Sequence, residues 1–94
     1  MSGSKIKYMQ KKGLTFEYIE DKTCILDEKH DSIITLNDVG TFIWKNLIKP
    51  IDLQELNDKI IKKYQVGQKE AFSDLKKLIT LMKKHNLIVK IDAP

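Results

Sequence analysis

The side chains best suited to chemistry are few. Cys24 is the only cysteine, and His30 and His85 are the only histidines. A nucleophilic thiolate needs a base or a cationic setting, and a metal centre needs several ligands at close spacing. Cys24 lies in an apolar run, Cys24-Ile25-Leu26, and reads as a small buried residue. A single cysteine excludes an intrachain disulfide and argues against a cysteine-based zinc site. His30 falls in the polar turn Glu28-Lys29-His30-Asp31, and His85 near a helix end. Neither has a neighbouring pattern of metal ligands, so both read as surface residues. Glu17, Glu20, Asp27 and Glu28 read as solvated carboxylates of strands and turns. Gly40 opens a helix instead of a phosphate-binding loop. These residues point away from an enzyme, and no cofactor or metal is expected.

Those positions depend on the elements that carry them. Leu14 to Glu20 alternates apolar and polar at period two, as a half-buried strand does. Cys24–Asp27 reads as a second strand, and the β-branched Ser32-Ile33-Ile34-Thr35-Leu36 as a third. The period then changes. Asn37 is a helix cap, and Val39, Phe42, Ile43 and Leu47 recur at helical spacing until Pro50. Asp52-Leu53-Gln54-Glu55 opens a second helix with Leu53, Leu56, Ile60 and Tyr64 as its buried stripe. A third helix spans about Gln68 to His85, with Ala71, Leu75, Leu78 and Met82 on one face. Asn86 suits the left-handed closing position. Leu87–Ile91 is a last extended segment that closes over the core or pairs with a strand. The expected fold is α+β: a winged helix-turn-helix with a three-stranded antiparallel N-terminal sheet followed by three helices. Residues 1–12 read as a flexible tail, 13–91 as one domain and 92–94 as a C-terminal tail. Met1-Ser2-Gly3-Ser4 reads partly as a cloning remnant.

Charge narrows the partners. The net charge is +4, and all 17 basic residues are lysine. Six acids and two lysines lie between Gly13 and Asp31, but nine lysines and two acids between Lys59 and Lys90. A charge run of this kind is a solvated face or a surface for an anionic partner. DNA binding is the rival suggested by the fold. It is disfavoured by the absence of arginine, whose fork makes the commonest specific guanine contact. No apolar run approaches the roughly 20 residues of a membrane span.

The run Ile34-Thr35-Leu36-Asn37-Asp38-Val39-Gly40-Thr41-Phe42-Ile43-Trp44 resembles the PqqD family, also called RiPP recognition elements. The likeness continues through Lys49-Pro50-Ile51-Asp52-Leu53-Gln54-Glu55-Leu56 and from Leu78-Ile79 to Leu87-Ile88, covering roughly Leu14 to Ile88. Asn86 stands where the family usually has glycine. Lys49-Pro50 is more similar to the leader-binding proteins of lasso-peptide pathways than to the cofactor-biosynthesis member.

The resemblance implies a non-catalytic peptide chaperone. It would bind the leader of a ribosomally made precursor peptide by strand addition and present it to a modifying enzyme. That enzyme would be a radical SAM enzyme, a leader peptidase or a cyclodehydratase. It also implies that the strand Ser32, Ile33, Ile34, Thr35, Leu36 is the edge that accepts the peptide. Beside it, a stripe of Phe72, Lys76, Ile79 and Lys83 on the third helix would form the groove wall, with Leu75 as floor. Such a groove would suit an extended peptide with large apolar anchors and some acidic residues. On the other reading, Phe72 and Ile79 merely widen the core stripe. The remaining alternatives are a winged-helix DNA-binding regulator and a generic adaptor, for which an exposed Leu81 would be a contact. A cytoplasmic monomer or weak homodimer is expected.

Overall fold

The computed structural model describes residues 5–93. Their order is β1 (Lys5–Gln10), β2 (Phe16–Ile19), β3 (Lys22–Asp27), β4 (Ser32–Leu36), α1 (Asp38–Asn46), α2 (Leu53–Tyr64), α3 (Gln68–Lys84) and β5 (Ile88–Ala93). The antiparallel meander β2-β3-β4 and the three helices after it are as the sequence predicts.

A second sheet is not. β1 and β5 pair antiparallel over their full lengths, from Lys5 opposite Ala93 to Gln10 opposite Ile88. Residues 5–10 are therefore a strand where a flexible tail was expected, and Asp92 and Ala93 belong to β5. The burial of β1 does not alternate cleanly: Tyr8 is buried, while Ile6, two residues earlier on the same face, is exposed. The strand is masked by the flanking lysines and rests on a partner at the other end of the chain. Tyr8 also exchanges backbone hydrogen bonds of 2.9 and 3.0 Å with Ile51. The Gln10 side chain donates to the Trp44 carbonyl at 2.8 Å. The proposed remnant Met1–Ser4, and Pro94, lie outside the described residues.

The helix ends follow their caps. The Asn37 carboxamide oxygen accepts from the Gly40 N–H, and the Asp52 carboxylate from the Glu55 N–H, each at 2.8 Å. Asn86 takes φ +58°. Around it Leu87 N–H bonds to Met82 O and Asn86 N–H to Lys83 O, the paired closure of a Schellman motif.

One core joins the layers. Ile25 and Leu36 from the sheet meet Trp44, Leu47, Leu56, Leu75 and Met82 from the helices. Trp44 is fully buried with Phe16 edge-on at 5.3 Å. Gly40 marks the tightest approach: a Cβ there would lie 3.1 Å from Leu36 Cβ. Its small size lets the first turn of α1 sit directly on the end of β4.

Candidate functional site: an open strand edge beside an apolar cleft

Among the described residues β4 pairs with β3 on one side only, so its other edge is open. Which of its backbone groups face outward follows from the ladder. Leu26 N–H donates to Thr15 O at 2.9 Å, which turns the polar backbone of Leu26 toward β2. Direction alternates along a strand, so Cys24 also faces β2, whereas Thr23, Ile25 and Asp27 face β4. Ile33 lies opposite Leu26, and Thr35 opposite Cys24. The N–H and C=O groups of Ile33 and Thr35 therefore point out of the sheet, unpaired within it. Those of Ile34 are used in the ladder with Ile25.

That edge borders a cleft of about 720 Å³. Thr35, Leu36 and Asn37 form one wall, and Val39, Gly40 and Ile43 of α1 contribute to the base. Ala71, Leu75, Leu78 and Leu81 of α3 form the facing wall, with Val66 and Tyr64 at one end. The lining is mostly apolar. Leu81 and Val66 remain 40% and 41% exposed, an apolar surface left for a ligand to cover. The charged side chains of the lining are Glu70 and Asp74. Burial pushes the Tyr64 phenol above its ordinary range, reinforced by Asp38 and Asp21, so it stays protonated. Apolar sockets, an unpaired strand edge and two carboxylates equip this cleft to hold an extended peptide.

The residues expected at the site divide. Thr35, Leu36 and Leu75 line the cleft. Ile33 is 67% exposed on the outer face of β4, and Ser32 is exposed at its start. Ile34 packs against the core. The stripe on α3 does not face the cleft. Ile79 is 3% exposed and belongs to the core, and Phe72 packs on that core half-buried. Lys76 Nζ lies 5.0 Å above the Phe72 ring, and Lys83 Nζ 5.7 Å above that of Tyr8. At 3.6 residues per turn, Phe72 and Leu78 are about 120° apart around the helix. Phe72 and Ile79 thus widen the core stripe, and the cleft uses the opposite flank. The missed residues Asp74, Leu78 and Leu81 are spaced by four and three, a second legible row. The short alternative row of Phe72 and Ile79 hid it.

A second constellation also escaped the sequence reading. Asp27 is 3% exposed, not solvated. Its Oδ2 meets His85 Nδ1 at 2.6 Å and His30 Nδ1 at 2.8 Å. The His85 hydrogen bond, opposed by burial and helped by His30, lowers the Asp27 carboxyl to about 2. This folded-state value lies below the ordinary one. The stabilisation is therefore complete above about pH 4 and lost as pH falls through about 2. Asp27→Asn is expected to flatten that acid limb: urea unfolding followed by circular dichroism should show a smaller loss between about pH 4 and 2 than wild type.

The comparisons bear on the family and the fold. The sequence pattern of the family described as Coenzyme PQQ synthesis protein D (PqqD) matches residues 22–88. No curated protein matches the chain. The fold is similar to that of TbiB1 in complex with the TbiA(beta) leader peptide, with TM-score 0.76 and 21% identity, covering 85% of this chain and 93% of that one. It is also similar to lasso peptide synthetase B1 complexed with the leader peptide, with TM-score 0.74 and 17% identity, covering 87% and 96%. Among the described residues no helix is long and apolar enough to cross a membrane. From β3 to the start of β5, then, the chain belongs to the PqqD family, the RiPP recognition elements, which are non-catalytic leader-peptide-binding proteins.

Proposed function

We propose that this chain binds the leader segment of a ribosomally made precursor peptide and presents it to a modifying enzyme. The observation that carries this reading is the open edge of β4, with the backbone of Ile33 and Thr35 turned outward beside an apolar cleft. A leader adding as a strand pairs its main chain there and places alternate side chains in the cleft. The winged helix-turn-helix description belongs to this reading, supported by three consecutive helices beside a small antiparallel sheet. The two similar structures both hold leader peptides, one on a lasso peptide synthetase B1, which favours a leader peptidase of a lasso pathway as the enzyme served. The setting is the cytoplasm, where precursor peptides are made. Self-pairing through β4 would compete with the leader for one edge, giving a weak dimer that the peptide dissolves.

The cleft chemistry revises the expected peptide. Lys76 and Lys83 stand over aromatic rings on the other flank, whereas Glu70 and Asp74 line the cleft. The leader should therefore carry large apolar anchors with neutral or basic residues between them.

Isothermal titration of the cognate leader tests the reading. Leu81→Asp puts a charge into the apolar wall at a position 40% exposed, so the fold is kept. Binding is expected to weaken at least tenfold, about 1.4 kcal/mol or more. Unchanged affinity would remove the cleft from the account. Charge reversal by Glu70→Lys with Asp74→Lys is expected to weaken a lysine-bearing leader several-fold at low salt. The effect should fade by about 1 M salt, where screening shortens to about 3 Å.

A further inference from the structure

We propose that Asp27, His30 and His85 form a binding site for a divalent transition-metal ion of the zinc type. The three come from the end of β3, the β3–β4 turn and the capping residue of α3. Their ligand atoms all lie within 4.8 Å of one another. Two imidazoles with one carboxylate is the donor set that suits zinc when one position is left to water.

The argument turns on charge. The Asp27 side chain is 2% exposed, and its ion-pair partners among the described residues are the two histidines. No lysine is among them, although lysines are plentiful in the chain. A histidine carries no permanent charge, and a buried carboxylate without a fixed cation is costly. In the metal-free chain two N–H donors converge on one oxygen, His85 at 2.6 Å and His30 at 2.8 Å. A dication in their place supplies the missing charge.

The geometry permits the exchange. Zinc bonds of about 2.0–2.1 Å in a tetrahedron set ligand atoms roughly 3.3 Å apart, so the contacts must open by about 0.5 Å at His30 and about 0.7 Å at His85. His30 can give this, since its side chain is 46% exposed on a turn. A polar cleft of about 220 Å³ opens beside Asp27 and His85, with Glu28 in its wall. It leaves room for a water, or for the Glu28 carboxylate, at the fourth position. On binding, each Nδ1 gives up its proton and bonds the metal. A neutral ring takes a proton back from solvent at Nε2, and a charged ring releases one. Affinity therefore falls with acid. The ion would tie the β3–β4 hairpin to the end of α3. These are the elements that carry the two walls of the peptide cleft, yet the site stands apart from it and needs no leader.

The test is titration of the tag-free chain with zinc chloride at about pH 7.5, by calorimetry and thermal melting, and with cobalt chloride by visible absorption. One-to-one binding at about micromolar strength, a higher melting temperature and the absorption of tetrahedral cobalt are expected. His30→Asn, at an exposed position, should weaken binding at least tenfold with unchanged circular dichroism. His30→Ala with His85→Ala should abolish it, and Cys24→Ser should leave it unaltered. Absence of saturable binding by about 100 μM zinc, or binding that survives in the double variant, overturns the proposal.

Discussion

Thr35→Pro is expected to cost about 2 kcal/mol of leader affinity, about thirtyfold, while leaving the fold intact. The proline removes an N–H that points out of the sheet, so the β3–β4 ladder keeps its bonds. Proline is tolerated on edge strands for this reason. The residue before it, Ile34, is already extended, as proline requires. What is lost is one main-chain bond to the peptide, together with the cost of leaving the peptide carbonyl desolvated and unpaired. Ile34→Pro makes the contrast. Its N–H serves the ladder with Ile25, so this change should destabilise the protein itself. Fluorescence anisotropy of a labelled leader, with urea unfolding of each variant, separates the two effects. Equal affinity for Thr35→Pro and wild type would mean that the peptide does not add as a strand at β4.

The largest stability effect is expected at Trp44. It is fully buried, stacked edge-on with Phe16, and its carbonyl receives the Gln10 side chain that ties β1 to α1. Trp44→Ala should lose about 3–5 kcal/mol, which for a domain of this size is a large share of the whole. Trp44→Phe should lose much less. The indole N–H has no hydrogen-bond partner among the described residues, so mainly volume is given up. Since Trp44 is the only tryptophan, urea unfolding must be followed by circular dichroism.

The parts of this structure visible in the sequence are those set by local chemistry. Asn37, Asp52 and Asn86 occupy the helix ends their side chains suit, and Ser32–Leu36 is the strand its β-branched residues indicate. Along β4, Leu36 is buried and Ile34 half-buried while Ile33 and Thr35 are exposed, the alternation that a strand imposes. What escaped depends on partners distant in the chain. β1 is held by β5 and by Ile51, so its own residues look like a basic tail. Asp27 and His85 are 58 positions apart, and each alone resembles an ordinary surface residue. The flank of α3 used by the cleft was misassigned for a related reason. Apolar residues lie on both sides of its core stripe, and only packing decides which side the sheet covers. On the side with Phe72 and Ile79, Lys83 lies over the Tyr8 ring of β1, and the side with Leu78 and Leu81 lines the cleft.

The central claim is that the leader pairs with β4, and amide hydrogen exchange tests it residue by residue. In the free chain the amides of Ile33 and Thr35 should exchange quickly, because they face outward, while that of Ile34 is protected by the ladder. Saturating leader should slow Ile33 and Thr35 strongly and change Ile34 little. Protection confined to α3, with Ile33 and Thr35 still exchanging as in the free chain, would contradict strand addition.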